Sequence, residues 1–439
     1  MKKLFVLLAA GILLFAGCKP EKKGFEIPEV EDIVMYQVNP RVFAPEKSLN
    51  AVAARIDSIA GLGVNMMWIM PIYPIGVEKG KNSPYCISNY TDIAPEFGTI
   101  EEFKRLVKVA HDHGIGVILD WVANHTAWDH PWVRQHPDWY THDAKADTII
   151  HPRPWDWYDV ADLNYDNKDM RRAMIDAMRF WIEQCGVDGF RCDVADGVPA
   201  DFWKDAIDEL RDCAGRRIVM LAEGKRPDNF TVGGFDMNYG WDFKDSLVNV
   251  MVKGHPAMNL FKADLAEYDS LPEGKVKMRF TTNHDHANSI SPVKEFMDIN
   301  GSLAAWVATA FLHGGAMIYG SQEVGYENPI NFFEYVPVDW SANSNLYGWY
   351  KQLIKIYNSN PAFRKGERRV YPYDNVLEFE RFLDNDTYLV IVNMRNEDLD
   401  VNLPNTWENT TAHDLFDNQD IKLFASIQLQ PYQFYILKK

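Results

Sequence analysis

The stretch TIEEFKRLVKVAHDHGIGVILD, residues 99–120, joins a helix pattern to a strand pattern through a glycine. Thr99 and Glu102 have capping-box spacing. Phe103, Leu106, Val107 and Ala110 recur at the i, i+3, i+4, i+7 positions of a one-sided helix. Gly114 suits the turn past a helix end, and the apolar run that follows reads as a buried strand ending on Asp120. The same cycle returns in RRAMIDAMRFWIEQCG (171–186) followed by VDGFRCD (187–193). Further strand candidates are DIVMYQVN, VNMMWIMP, RIVMLAE, FDMNYG, KMRFTTNHD and GAMIYGSQE, which brings the number to eight. Eight apolar strands alternating with helices predict a parallel (β/α)8 TIM barrel over residues 28–360.

One barrel unit is interrupted. After LDWVANH the chain makes an excursion over about residues 126–165, rich in Trp, His, Pro and Asp, before the next helix near Asn167. Long loops on a barrel usually serve function. From 365 to 439 the pattern changes to period two. NVLEFERFL, TYLVIVNM, DLDVNLP, IKLFA and QFYILKK alternate between turns such as DNDT and NED, which predicts a C-terminal antiparallel β-sandwich domain.

The chain has 439 residues, 47% of them hydrophobic, enough for a large catalytic domain and an accessory one. Its net charge of −17 argues against a nucleic-acid partner, which needs clustered Lys and Arg. Residues 1–18 stand apart: Lys2 and Lys3, an apolar run from Leu4 to Phe15, then FAGC ending on Cys18. The run is too short for a membrane span and reads as a secretory signal. Its ending resembles the lipobox of bacterial lipoproteins, which implies lipidation of Cys18, a membrane anchor and a place in the cell envelope outside the cytoplasm. An ordinary cleaved signal is the alternative. Residues 19–27, KPEKKGFEI, would be a polar tether. Cys86, Cys185, Cys192 and Cys213 could form two disulfides, but their apolar settings favour buried free thiols.

The chemistry gathers at strand ends. In GFRCDVADGVP (189–199), Arg191 and Asp193 share one strand face while Phe190 and Cys192 share the other. An arginine there would keep the carboxylate ionised and oriented, as a nucleophile requires; the alternative is a structural salt bridge. Glu223 ends IVMLAE, Asp285 ends MRFTTNHD beside His284, and Asp120 ends VILD ahead of Asn124 and His125. In a barrel these ends would meet at one mouth, and several acids in one mouth are unfavourable unless they have a task. A pair of close carboxylates is the equipment of a retaining glycosidase.

These residues resemble glycoside hydrolase family 13, the α-amylase family. DWVANH (120–125) resembles its D-x-V-x-N-H region, GFRCD its G-F-R-x-D region, and TNHD (282–285) its His-Asp region, with Glu223 at the family's glutamate. SPYCISNYTDIAPEFGT, VADLNYDN and MIYGSQE resemble further stretches, in the family's order. The resemblance implies Asp193 as nucleophile, Glu223 as general acid and then base, and Asp285 as ligand of the ring hydroxyls. It implies that Arg191 orients Asp193 with support from Asp120, that His125 and His284 hydrogen-bond the sugar, and that Tyr85 stacks beneath it. The implied substrate is an α-glucan, starch-derived and α-1,4-linked. A transglycosylase, an α-glucosidase or a non-catalytic glycan-binding lipoprotein are the alternatives.

The sequence also departs from the family. Many members carry Lys-His where this chain has Asp196 and Gly197. That lysine contacts sugar on the leaving-group side, and that histidine contributes to a calcium site. Asn124 and Asp162 still match calcium-binding positions, so they form a candidate Ca²⁺ site, and no cofactor is required for the chemistry itself. Of Trp128, Trp132, Trp139, Trp155 and Trp157 in the excursion, one or two are candidate sugar platforms and the rest packing. The HDH run at 111–113 has the look of a metal pair but sits at a helix end, away from the mouth.

Overall fold

The computed structural model describes residues 25–269 and 271–439. The signal, Cys18 and residues 19–24 of the tether lie outside them. Eight parallel strands form the barrel: β1 (Met35–Val38), β2 (Met66–Ile69), β3 (Gly116–Val122), β4 (Gly189–Asp193), β5 (Val219–Ala222), β6 (Met237–Tyr239), β7 (Val276–Met278) and β8 (Met317–Tyr319). Their order is β8-β1-β2-β3-β4-β5-β6-β7, and a parallel bridge between Arg279 and Ala316 joins the two ends. The (β/α)8 expectation holds.

The alternation of each strand decides what the barrel contains. Met35, Met66, Trp68, Ile118, Leu221, Met237, Tyr239 and Met278 pack together inside it. Tyr36, Met67, Leu119, Phe190, Cys192, Met220 and Ile318 face outward into the core beneath the helices. Phe190 and Cys192 therefore face the helical layer, and Arg191 and Asp193 face the lumen, the same-face placement that the period of two requires. The helix Ile100–Asp112 starts as its sequence predicts. Thr99 accepts the Glu102 N–H at 3.2 Å, Phe103, Leu106, Val107 and Ala110 are its buried face, and Gly114 follows with φ +76°.

Two features differ from the sequence pattern. The excursion is not free loop: His125–Ala127 pairs antiparallel with Val160–Asp162 and closes its neck, because the chain must return to where it left β3. Asp285 does not end a strand. The strand β7 stops at Met278, and Asp285 sits in the first turn of the helix His284–Ala287, where the Asn283 side chain caps the His286 N–H at 3.0 Å.

The C-terminal part forms a six-stranded antiparallel sheet faced by the two-stranded ladder Leu399–Asn402 and Ser426–Leu429. Between them lie Leu389, Ile391, Val401, Trp407 and Leu429. The opposite face of the sheet, with Leu377, Phe379 and Val390, packs on the barrel. Glu367–Pro372 and Thr411–Asp414 escape the alternation pattern because they are edge or short strands with mixed exposure. IKLFA straddles a strand end: Ile421 and Lys422 close the strand Gln419–Lys422, and residues 423–425 lead on to Ser426–Leu429. All four cysteines of the described residues are free thiols.

Candidate active site

The site is organised around Arg191, which is fully buried. Its Nη1 donates to Asp120 Oδ1 at 2.7 Å and to Asp193 Oδ1 at 2.8 Å, and its Nε donates to the Tyr239 hydroxyl at 3.0 Å. Its Nη2 lies 3.0 Å from Glu223 Oε2, a charge contact without hydrogen-bond alignment. Three carboxylates from β3, β4 and the end of β5 thus surround one guanidinium. The cation also lies 4.9 Å from the Trp68 ring centroid and 5.5 Å from that of Tyr239.

One positive charge cannot neutralise three buried acids, so their proton affinities spread. Burial pushes all three up and Arg191 opposes it. Asp120 rises to about 6, Asp193 to about 7 and Glu223 to about 8. At Asp120 burial is opposed first by the charge and hydrogen bond of Arg191 and then by the donor Trp68 Nε1 at 3.0 Å; the Tyr85 hydroxyl also donates to it at 3.1 Å. Glu223 is the last to lose its proton. Its Oε2 accepts the Val194 N–H at 2.8 Å, which leaves the proton to Oε1.

A chain of neutral donors braces the other side. Gln37 Nε2 donates to His284 Nδ1 at 2.8 Å, and His284 Nε2 meets the Tyr85 hydroxyl at 2.7 Å. Burial lowers His284 and His125 to about 4 each, so both are neutral at physiological pH. Tyr85 stacks on His284, ring centroids 5.4 Å apart. Asp285 is the most open of the acids, its side chain 47% exposed and its Oδ1 3.4 Å from His284 Nε2.

These groups open into a cleft of about 750 Å³. The structure brings Asp193, Glu223, Asp285, Tyr85, His125 and His284 to its wall, with Arg191 and Asp120 directly beneath. Of the five excursion tryptophans, Trp155 and Trp157 line it, stacked at 4.6 Å and 3° apart. Trp132 and Trp139 pack on each other, and Trp128 lies under Lys79. The sequence pattern did not single out Lys81, Asp159, Lys225, Trp241 or Phe332, which complete the wall. Only the departure at Asp196 pointed toward that region, and Asp196 lines the cleft too.

Asn124 and Asp162 lie at the neck of the excursion, where His125 pairs with Asp162. A side chain at position 197 would collide with the Asn124 amide, 2.6 Å from the Cβ, so Gly197 makes room for it. The pair supplies one amide and one carboxylate toward the six to eight oxygens that Ca²⁺ takes. Among the described residues no three His, Cys, Asp or Glu side chains converge to hold a metal. His111 instead meets Asp188 at 2.8 Å and His113 meets Asp57 at 2.8 Å, so the HDH pair points two ways.

A parallel (β/α)8 barrel with several carboxylates sharing one arginine at its C-terminal mouth defines an enzyme of acid–base carboxylate chemistry. The chain belongs to the alpha-amylase family: it matches the alpha-amylase catalytic domain over residues 45–410. It is a glycoside hydrolase of that family. It is 28% identical over 400 residues to alpha-amylase MalA of Haloarcula japonica, covering 85% of this chain and 57% of that protein. It is 25% identical over 453 residues to alpha-amylase 3 of Dictyoglomus thermophilum, covering 84% and 86%. Among solved structures it resembles a maltogenic alpha-amylase from Thermotoga neapolitana, with a TM-score of 0.84 and 26% identity over 94% of this chain and 99% of that one.

Proposed function

We propose that the protein is a retaining α-glycosidase that cleaves starch-derived α-glucans, at α-1,4 links, by double displacement. In the first step the Asp193 carboxylate attacks the anomeric carbon while Glu223 gives its proton to the glycosidic oxygen. The C–O bond breaks, the leaving sugar departs as an alcohol, and a covalent glycosyl-Asp193 ester remains. In the second step Glu223, now a carboxylate, takes a proton from water, whose oxygen attacks the anomeric carbon and frees Asp193. Asp285, His125 and His284 hold the hydroxyls of the distorted sugar, and Tyr85 packs against its ring.

The observation that carries this proposal is the shared guanidinium. It holds Asp193 as the more acidic partner, while Glu223, further from its hydrogen bonds, keeps a proton to about 8. The test is the anomeric form of the first products from maltooligosaccharides. Initial α-anomers support retention; β-anomers would overturn the nucleophile. Transfer to a second sugar instead of water uses the same intermediate, and the presence of every acid in place disfavours a purely glycan-binding protein.

We further propose that lipid on Cys18 anchors the enzyme to a membrane outside the cytoplasm, testable by mass spectrometry of the amino-terminal peptide from cells. Calcium, where bound, would use the oxygens of Asn124 and Asp162. An unchanged melting temperature after chelation would remove that site.

A further inference from the structure

Asp196, an acid where the resemblance leads one to expect lysine, joins the loop after β4 to the turn after β5. Its Oδ2 accepts the Lys225 N–H at 2.8 Å, and its Oδ1 accepts from Asn229 Nδ2 at 2.8 Å. Arg226 completes the joint, donating from Nη1 to the Asp196 carbonyl at 3.0 Å and from Nη2 to the Val198 carbonyl at 3.0 Å. Asn229 is fully buried and also reaches Asn238 on β6 at 3.4 Å, so the joint is tied to the barrel wall.

The turn is shaped to this contact. A Cβ at position 224 would lie 2.1 Å from Asp196 Oδ1, so only glycine lets the chain approach so closely. Glu223, just ahead of it, is gripped on its own account: its N–H donates to the Cys192 carbonyl and its carbonyl accepts the Ala195 N–H, both at 3.0 Å. The same turn carries Lys225, whose side chain lines the cleft beside Trp241 and pairs with Asp242. A cation therefore lines the cleft from the turn that follows the acid.

We propose that Asp196 is a positioning residue for the general acid, and that Lys225, two residues past that acid and lining the same cleft, contacts the leaving sugar. This rests on Glu223 being the acid. A displacement of about 1 Å in a reacting group can cost about 10²-fold in rate. The step affected is proton transfer from Glu223 to the glycosidic oxygen as the C–O bond breaks. A leaving group already stable as an anion departs without that proton.

The experiment compares maltotriose with 2,4-dinitrophenyl α-maltoside in the full chain, for the wild type, Asp196→Ala, Asp196→Asn, Lys225→Met and Glu223→Gln. The expected result is a fall of about 10²-fold in kcat/KM on maltotriose for Asp196→Ala, with little change in kcat/KM on the activated substrate, because kcat/KM reports the first displacement and leaves out the later step in which Glu223 acts as base. Asp196→Asn, which keeps one acceptor oxygen, falls between, and the alkaline limb of the pH profile moves in both. Lys225→Met raises KM for maltotriose alone. Should Asp196→Ala fail to fold, Asp196→Asn decides. Equal loss on both substrates, or no loss, would overturn the proposal. Glu223→Gln separates the two levels: if it shows the substrate split and the Asp196 variants do not, only the positioning role fails. If it shows no split, Glu223 is not the acid and both assignments fall.

Discussion

The side chain of Glu223 is anchored by the main chain of Val194, whose N–H donates to Glu223 Oε2 at 2.8 Å. Val194 directly follows Asp193, so one peptide unit ties the two central carboxylates together. Val194 has φ 44°, in the left-handed region that β-branched residues avoid. Backbone strain of this kind persists where surrounding structure over-determines it, and here it turns an N–H toward the acid.

Replacing Glu223 by glutamine keeps the shape and an oxygen for the Val194 N–H but removes the transferable proton. Turnover of maltooligosaccharides is expected to fall by roughly 10²–10⁴-fold, the range for loss of a general acid. The melting temperature should hold or rise, since a buried acid is replaced by a neutral amide. Initial rates and a thermal melt on the same preparation check it.

The pH profile follows from the spread of proton affinities. Catalysis needs Asp193 ionised, so kcat/KM falls as pH drops below its value of about 7. It needs Glu223 protonated, so the rate falls again as pH rises through about 8. The expected profile is a narrow bell between them, whose limbs belong to the coupled group. A flat alkaline side would contradict the acid's assignment.

Arg191→Ala strands Asp120, Asp193 and Glu223 without their cation. The sequence left two roles open for Arg191, orienting the nucleophile or holding a structural salt bridge. Full burial of Arg191 and Asp120 makes it serve both: alongside the loss of activity, the loss of stability should be about 3–5 kcal/mol at neutral pH. It should shrink at acid pH, where the carboxylates are protonated and no longer need a partner. Urea denaturation at two pH values measures both.

Trp157 lies over the cleft, edge to face with His125 at 5.7 Å and stacked on Trp155. Trp157→Ala is expected to weaken oligosaccharide binding about tenfold, the equivalent of roughly 1–2 kcal/mol of lost apolar burial. The effect should appear in KM and leave kcat nearly unchanged. Trp128→Ala, which removes a ring engaged with Lys79, should do neither.

Glu378, far from the site, is fully buried with neither carboxyl oxygen hydrogen-bonded. Burial, with the Glu380 charge nearby, raises it from 4.5 to about 8. The folded state therefore holds a proton that the unfolded chain releases near 4.5, and stability declines as pH rises from there to about 8. Glu378→Gln should flatten this decline and make the variant more stable than the wild type at alkaline pH.

Local pattern was enough to read the barrel, because helix and strand periods are local and eight repeats of one cycle admit few arrangements. Pairing Arg191 with Asp193 needed only the period of two along one strand. Asp120, Arg191, Asp193 and Glu223 were legible because each sits on or just past a strand whose apolar pattern marks it, whereas His284 and Asp285 were legible only through their motif. What the sequence could not determine were relations between loops distant along the chain. That Arg191 faces Glu223 as well, that Asp285 rides on a helix turn, and that Trp155 and Trp157, not Trp132 or Trp139, reach the cleft all depend on packing. So does the clamp of Asp196 on the turn after Glu223. Burial and charge balance are properties of the assembled mouth, so the order of proton affinities among its acids was decided only by the tertiary structure.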